Sequence, residues 1–516
     1  MPVLLQNLKL QLDEDLEVVL QERVPNFAGY DILKKSIDAR RGMAPLWVYT
    51  VRVYADGEPR VCEDLDPRPV PYKGPPILVV GAGPAGLFAA LRLLERGVPV
   101  QLFEQGSKAE DRLKAINRYW RYGELNPLNN VGFGEGGAGL YSDGKLITRI
   151  KSPHISYVMD RLIQLGAPEE IRYLSNPHVG SDRIRRLIPV LRKRLMDLGG
   201  KLYFDTPIQE LLISGSEVVG LKTQDGRDFL SPHVVLAAGH SADGLYRKLA
   251  EQGVFMEKKS FAVGLRIEHP QKQINQIQYR KHAHHPSLGA ANYKLAHHNK
   301  EEDAGVYSFC MCPGGYVLAS GTEAEQMVCN GMSNYRRNSA FANSALVISI
   351  DHQRHFKNGD LFEGLEWRNH LERQAYRQVL KAGGQKEIPA QSLLDFLKGR
   401  VTSTQLPSSS PSGVVTTPLH ELFSKEHRNF MISAIEDFNK KMKGFISEDA
   451  VFHGVESRTS SPLRMTRDSE TLQSVSHSGL YPAGEGAGYA GGITSAACDG
   501  VRIADRIAEA SINHAP

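Results

Sequence analysis

ILVVGAGPAGLFAALRLLERGVPVQLFEQG, residues 77–106, is the stretch on which the fold turns. Ile77 to Val80 is short and wholly apolar, as a strand buried in a parallel sheet is. Gly81, Gly83 and Gly86 follow at G-x-G-x-x-G spacing, with Pro84 and Ala85 between the last two. The first glycine permits a tight turn, the second lets backbone approach a diphosphate, and the third lets helix pack on strand. LFAALRLLERG reads as a helix closed by Gly97 at C′. Val98 to Phe103 reads as a second strand, with Glu104 and Gln105 at its end. An acid at that point suits a ribose hydroxyl pair. The helix N-terminus offers free N–H groups and a partial positive charge to the phosphates. A glutamate at 104, rather than an arginine, favours a nucleotide without a 2′-phosphate.

The same spacing recurs at Gly132, Gly134 and Gly137 in GFGEGG, and at Gly486, Gly488 and Gly491 in GEGAGYAGGI. Only Gly81–Gly86 has a strand before it, a helix after it and an acid at the next strand's end. One match in context predicts one nucleotide-binding domain and no separate NAD(P)H domain, so any nicotinamide donor would dock transiently.

Outward from this unit, residues 1–65 read as a small α+β domain: VLLQNLKLQL and LWVYTVRVYA alternate as strands, and LEVVLQERV is helical. Residues 66–76 are a stiff linker, since DLDPRPVPYKGPP carries five prolines in thirteen residues. Further on, Ile184, Leu187, Ile188, Leu191, Leu195 and Leu198 make one helical face, and the basic residues opposite read as a solvated surface. KLYFDTPIQELLI, containing Ile208, reads as one strand entering a hairpin. EVVGLKTQDGRDFLSPHVVLAAGH completes a meander that turns at Asp225-Gly226 and leads to a buried strand ending in Ala237-Ala238-Gly239. QLPSSSPSG, residues 405–413, is a loop.

A chain of 516 residues implies two or three domains. A hydrophobic fraction of 41% and a charged fraction of 23% are those of a globular protein, and a net charge of +4 is a weak pointer to any acidic partner. No apolar run reaches membrane-spanning length. The N-terminal MPVLLQNLKLQLDEDLE has no basic segment before its apolar residues, as a signal peptide would. Five cysteines, Cys62, Cys310, Cys312, Cys329 and Cys498, form no evident disulfide framework. A cytoplasmic location is the expectation.

The fingerprint, the meander and the C-terminal GLYPAGEGAGYAGGITSAACDGVRIADRI together resemble flavoproteins with a glutathione-reductase-type FAD domain. The resemblance implies an α/β architecture: a Rossmann-like FAD domain in two pieces, residues 77–264 and 446–516, an inserted α+β substrate or cap domain, residues 265–445, and the small N-terminal domain. NVGFGEGGAGLYSDGKL, FAVGLRIEHPQ, SFCMCPGGYV, NGMSNY, ANSALV, RTSSPLRMTRD and YPAGEGAGYAGGI resemble, over nearly the whole chain, a bacterial family of FAD-dependent dehydrogenases of unassigned substrate. On that resemblance Gly484 and Glu485 meet the ribityl chain, although the superfamily usually has aspartate where this chain has Glu485. Gly491, Gly492 and Ile493 open a helix facing the flavin, and Arg112 reaches the pyrophosphate. The Gly-rich loop around Gly137 crosses near the flavin ring, because glycines allow close approach. Lys145 and Arg464 are the candidate catalytic cations beside it, where a cation favours reduction.

His282, His284, His285, His297 and His298 lack a zinc-type frame and read as solvated loop residues, so no metal is expected. Cys310 and Cys312 would share one face of a cap strand by alternation, as packing or pocket-lining thiols rather than a redox pair. The function implied is an FAD-dependent oxidoreductase passing a hydride between flavin N5 and a small organic substrate. Two alternatives are a flavin-dependent RNA-modifying or RNA-binding protein, with the N-terminal domain as docking module, and a non-catalytic FAD-fold binding protein. Nucleic acid is not the expected partner, and the sequence does not speak to oligomeric state.

Overall fold

The structure, a computed structural model, describes residues 1–40, 43–61, 63–299 and 304–513, with side chains as far as residue 510. Cys62 lies outside the described residues.

The N-terminal domain is an antiparallel sheet of Val3–Leu10, Leu46–Tyr54 and Gly29–Asp38, with Leu46–Tyr54 in the middle. The helix Leu16–Arg23 starts at Asp15, whose carboxylate accepts the Glu17 and Val18 amides at 2.7 and 3.3 Å. Leu20 from the helix meets Leu8, Leu10, Val51 and Val53 in a small core. The strand Gly29–Asp38 is not legible in the sequence, because Lys34 and Lys35 break its alternation. An irregularity in pairing between Ile32 and Lys34 accommodates them. Lys35 then extends the pairing beyond its own sheet: its amide donates to the Tyr173 carbonyl at 2.8 Å, and its carbonyl accepts from Ser175 at 2.9 Å.

Past the linker, Ile77–Val80 is the central strand of five, all parallel, in the order Lys201–Tyr203, Val100–Phe103, Ile77–Val80, Val234–Leu236, Leu480–Pro482. The helix Pro84–Glu95 follows the first strand and packs along the C-terminal helix Ile493–Asn513. Gly500 makes this closeness possible, since a Cβ there would stand 2.0 Å from the Ala85 carbonyl oxygen. Arg92 and Arg96 both reach Asp505 at 2.8 Å and tie the two helices. KLYFDTPIQELLI is not one strand. Asp205, at φ +52, turns the chain between Lys201–Tyr203 in the parallel sheet and Ile208–Ser214, which opens a separate meander with Glu217–Thr223 and Asp228–Leu230.

The cap is built on seven strands in the order Ala296–Asn299, Ala304–Cys312, Phe341–Ile350, Phe261–Pro270, Val451–Glu456, Ile388–Ser392, Val414–Thr416. The helices Glu363–Lys381 and Lys425–Lys441 contribute Leu371, Val379, Met431 and Phe438 to its core. Its sheet includes Phe261–Pro270 and Val451–Glu456, so along the chain it extends beyond the 265–445 read from the sequence. Val451–Glu456 pairs antiparallel with Phe261–Pro270 inside the cap, and a strand's sheet is a tertiary fact that its own residues do not announce. YVLASG lies mostly in Gly315–Ala319, which forms a hairpin with Cys329–Ser333 apart from the seven strands. No helix among the described residues is long and apolar enough to cross a membrane.

Candidate functional site

The fingerprint turn follows from its glycines. A Cβ at Gly81, where φ is +99, would lie 2.3 Å from the Ala237 carbonyl oxygen, and one at Gly86 would lie 1.9 Å from that of Gly81. Gly83 differs. Only the Gly137 Cα comes within 4 Å of its Cβ position, at 3.8 Å, so the space above it is open to a ligand. Pro84 and Ala85 form the first turn of the helix behind it.

Glu104 is buried, and its carboxylate accepts three backbone N–H groups: Ala82 at 2.8 Å, Gly106 at 3.0 Å and Gly134 at 2.9 Å. It therefore joins the fingerprint to the Gly-rich loop, and three of its roughly four acceptor positions are used. Gln105 beside it is half-buried, and Ile208 opens the meander opposite Thr223.

Arg112 corrects the sequence expectation. It does not reach toward a pyrophosphate. It is fully buried, and its guanidinium donates to five carbonyls of one loop: Asn130 at 2.8 Å, Val131 at 2.7 Å, Gly134 at 3.2 Å, Glu135 at 2.9 Å and Gly137 at 2.8 Å. Burial pulls its pKa down to about 10, against the opposing pull of Tyr141, Glu104 and Glu135. The loop's own folding captures the side chain before any ligand could.

At the other end of the parallel sheet, Gly484 sits at φ +74 and donates its N–H to Asp499 at 2.8 Å. Arg467 holds Asp499 through contacts of 2.5 and 3.1 Å and also donates to the Pro482 carbonyl at 2.6 Å. Sequence reasoning passed over this pair. Its only signal was an arginine near the end of RTSSPLRMTRD and an aspartate shortly after the Gly-rich C-terminal stretch. Glu485 is half-buried, and no described residue hydrogen-bonds its carboxyl. Burial pushes it up to about 7, partly offset by Lys259. Gly491 and Gly492 are exposed, with nothing within 4 Å of where a Cβ would be; Gly239, after Ala238 at the end of the fourth strand, is equally open. Ile493 lies against the Gly-rich loop, 3.0 Å from where a Gly139 Cβ would stand.

Cys310 is exposed. Cys312 is buried, and the two thiols do not share a face. The pairing slips between Phe309 and Cys312, and Cys310 takes φ +43, which cancels the alternation expected of a regular strand. Burial pushes Cys310 to about 11 and Cys312 to about 12, against the pull of nearby Lys145 and Arg266. Lys145 is not a free cation: its ammonium donates to the Met311 carbonyl and lies 3.8 Å from Asp143. Arg464 is exposed, makes no ion pair with a described residue, and stands 5.5 Å over the Tyr489 ring. Of the two candidate cations, only Arg464 is without an ion pair to a described residue. His285 and His297 each face a carboxylate at 3.1 Å, of Asp13 and Asp437. Among the described residues no group of three or more His, Cys, Asp or Glu side chains is placed to hold a metal.

Gly83, Gly239, Gly491 and Gly492 thus each leave the place of a side chain unfilled by protein. Residues 260–459 match the family described as FAD-dependent protein, C-terminal domain-like. The whole chain is 38% identical over 537 residues to an uncharacterized protein of Clostridium beijerinckii, covering 99% of each. The chain belongs to this FAD-dependent family. FAD is its cofactor. Two solved structures are also similar. The flavin-dependent brominase Bmp2 is 11% identical, covering 84% of this chain and 79% of that one, with a TM-score of 0.38. The L-proline dehydrogenase from P. horikoshii is 11% identical, covering 85% and 94%, with a TM-score of 0.35. Likenesses of that size do not bear on the reaction.

Proposed function

We propose that the protein is an FAD-dependent oxidoreductase that exchanges a hydride with a small organic substrate beside the exposed glycines Gly491 and Gly492. The observation that carries this reading is the pair of exposed glycines, Gly491 and Gly492, with Glu485 in the same glycine-rich stretch and Arg464 packed against Gly488, side chains that can hold a proton or a charge where a flavin would lie. Bound FAD supplies the two-electron chemistry. The chain's residues supply the rest. Glu485, pushed to about 7, can take or give a proton near neutrality. Arg464, without an ion pair among the described residues, is the cation available to a developing negative charge. The single fingerprint in context supports a nicotinamide donor that docks transiently, and the cysteine usage supports a cytoplasmic setting.

Docking of RNA by the N-terminal domain is not favoured. Residues 1–65 carry eight lysines and arginines against eleven aspartates and glutamates, which repel a phosphate backbone.

The test is anaerobic titration of the FAD-loaded protein with NADH, NADPH, and sets of alcohols, amines and 2-hydroxy acids, read as bleaching of the flavin absorbance. Stoichiometric bleaching by one class supports the reading. A flavin that dithionite alone reduces would overturn it.

A further inference from the structure

Arg112 is a fully buried cation, and the groups that satisfy it are all backbone carbonyls of one loop. A buried charge is costly to leave unsolvated, so the loop must adopt the shape that turns five carbonyls to one point. The guanidinium is suited to this, with donors fixed in a plane, whereas an ammonium offers only three in a tetrahedron. The contact is tight: a Cβ on Gly134 would lie 2.5 Å from the Arg112 Cδ.

The opposite side of the same loop meets the fingerprint. A Cβ on Gly137 would lie 2.8 Å from the Gly83 Cα, and the Gly136 amide donates to the Ala82 carbonyl at 2.8 Å. The loop is thus held between Arg112 on one side and the turn at Ala82-Gly83 on the other. Gly83 is the glycine whose Cβ position is open.

We propose that Arg112 is a positioning residue for FAD: without touching the cofactor, it sets the loop Asn130–Gly137 against Gly83 and so preforms the wall that the diphosphate meets. This does not depend on which substrate the flavin serves. A purely architectural arginine would lower the stability of the whole domain and weaken both halves of the cofactor alike. A positioning arginine acts on the diphosphate half.

The experiment compares full-length apoprotein of wild type, Arg112→Ala, Arg112→Lys and Gly134→Ala, measuring ADP binding by calorimetry, riboflavin binding by fluorescence quenching, and Tm without ligand. The expected result is ADP binding weaker by about tenfold or more in all three variants, with riboflavin binding kept. Guanidinium ion at tens of millimolar should restore ADP binding to Arg112→Ala, and methylammonium should not. If Arg112→Ala does not fold, Gly134→Ala, which crowds Arg112 while keeping its charge, and Arg112→Lys carry the comparison. Wild-type ADP affinity in the folded variants would overturn the proposal. So would an equal loss of ADP and riboflavin in step with Tm and without guanidinium rescue.

Discussion

Glu104 and Arg112 form no ion pair with each other, yet both hold Gly134: the carboxylate accepts its N–H at 2.9 Å and the guanidinium donates to its carbonyl at 3.2 Å. An anion reads the loop's amides and a cation reads its carbonyls. Neither charge is spent on the other, and the loop between them is fixed from both ends.

Glu104→Ala removes the acceptor of three backbone N–H groups at once. Hydrogen bonds to a charged group contribute about 1.5–3 kcal/mol each, so FAD affinity should fall at least about tenfold and the apoprotein Tm should drop. Fluorescence titration with FAD checks this. Unchanged affinity would mean that the carboxylate is dispensable.

Two glycine substitutions should separate folding from cofactor binding. Gly86→Ala places a methyl 1.9 Å from the Gly81 carbonyl oxygen, between strand and helix. It should yield insoluble or colourless protein. At Gly491 an added Cβ meets no protein atom within 4 Å, so the Gly491→Leu apoprotein should melt as wild type does while FAD binding is lost. Equal Tm values for FAD-saturated wild type and Gly491→Leu would place the flavin elsewhere.

Among the described cysteines Cys310 should be the one that alkylates in the native apoprotein, since Cys312, Cys329 and Cys498 are buried. With its pKa raised to about 11, iodoacetamide modification should be slow at neutrality. It should accelerate about tenfold per pH unit over the range below that value, following the thiolate fraction. Peptide mass mapping reads the site, and protection by FAD is expected. Replacing both Cys310 and Cys312 by serine should leave FAD binding and flavin reduction intact. Complete loss of turnover would restore the redox pair.

Glu268 lies buried under the loop 405–413. Ser409 donates to it through its amide at 3.1 Å and through its hydroxyl, and the His453 Nε2 stands 3.6 Å away. Burial pushes Glu268 from 4.5 up to about 7, against the pull of Ser409, Ser408 and Arg266, and burial draws His453 down to about 4. The folded pKa of Glu268 exceeds the unfolded one. Its contribution is therefore fully present below the unfolded value of 4.5 and is lost as pH rises through about 7. The loss is on the order of 3 kcal/mol. Glu268→Gln has no such titration, so the Tm difference between about pH 5 and about pH 8 should be smaller than in wild type. An unchanged difference would show that Glu268 does not govern that range.

What could be read in advance was local. Gly81, Gly83, Gly86 and Glu104 act within a strand, a turn and the next strand, so their spacing carried the central sheet. Arg112 was placed wrongly because its partners come from a loop folded back over it, and nothing near it in sequence names them. The thiols of Cys310 and Cys312 were placed by alternation, and a slip in pairing with Phe341–Ile350 undid that. Val451–Glu456 looks like any buried strand, and only its neighbours make it part of the cap. The pattern is physical: dihedral and spacing rules are written in the residues themselves, whereas a long side chain's target or a strand's sheet depends on chain brought in from afar.

The parallel sheet takes its first strand from Ile77–Val80 and its last from Leu480–Pro482, with the cap threaded between them. At about 5–20 residues per second, a ribosome needs roughly 20–80 seconds to make the intervening chain. Throughout that interval the fingerprint strand has emerged without the strand and helix that complete its layer. The cap can bury its own core first, and the parallel sheet is completed only when its distant strand arrives. Coloured protein is thus a record of finished synthesis, and a nascent chain must shelter an incomplete sheet edge for most of its time on the ribosome.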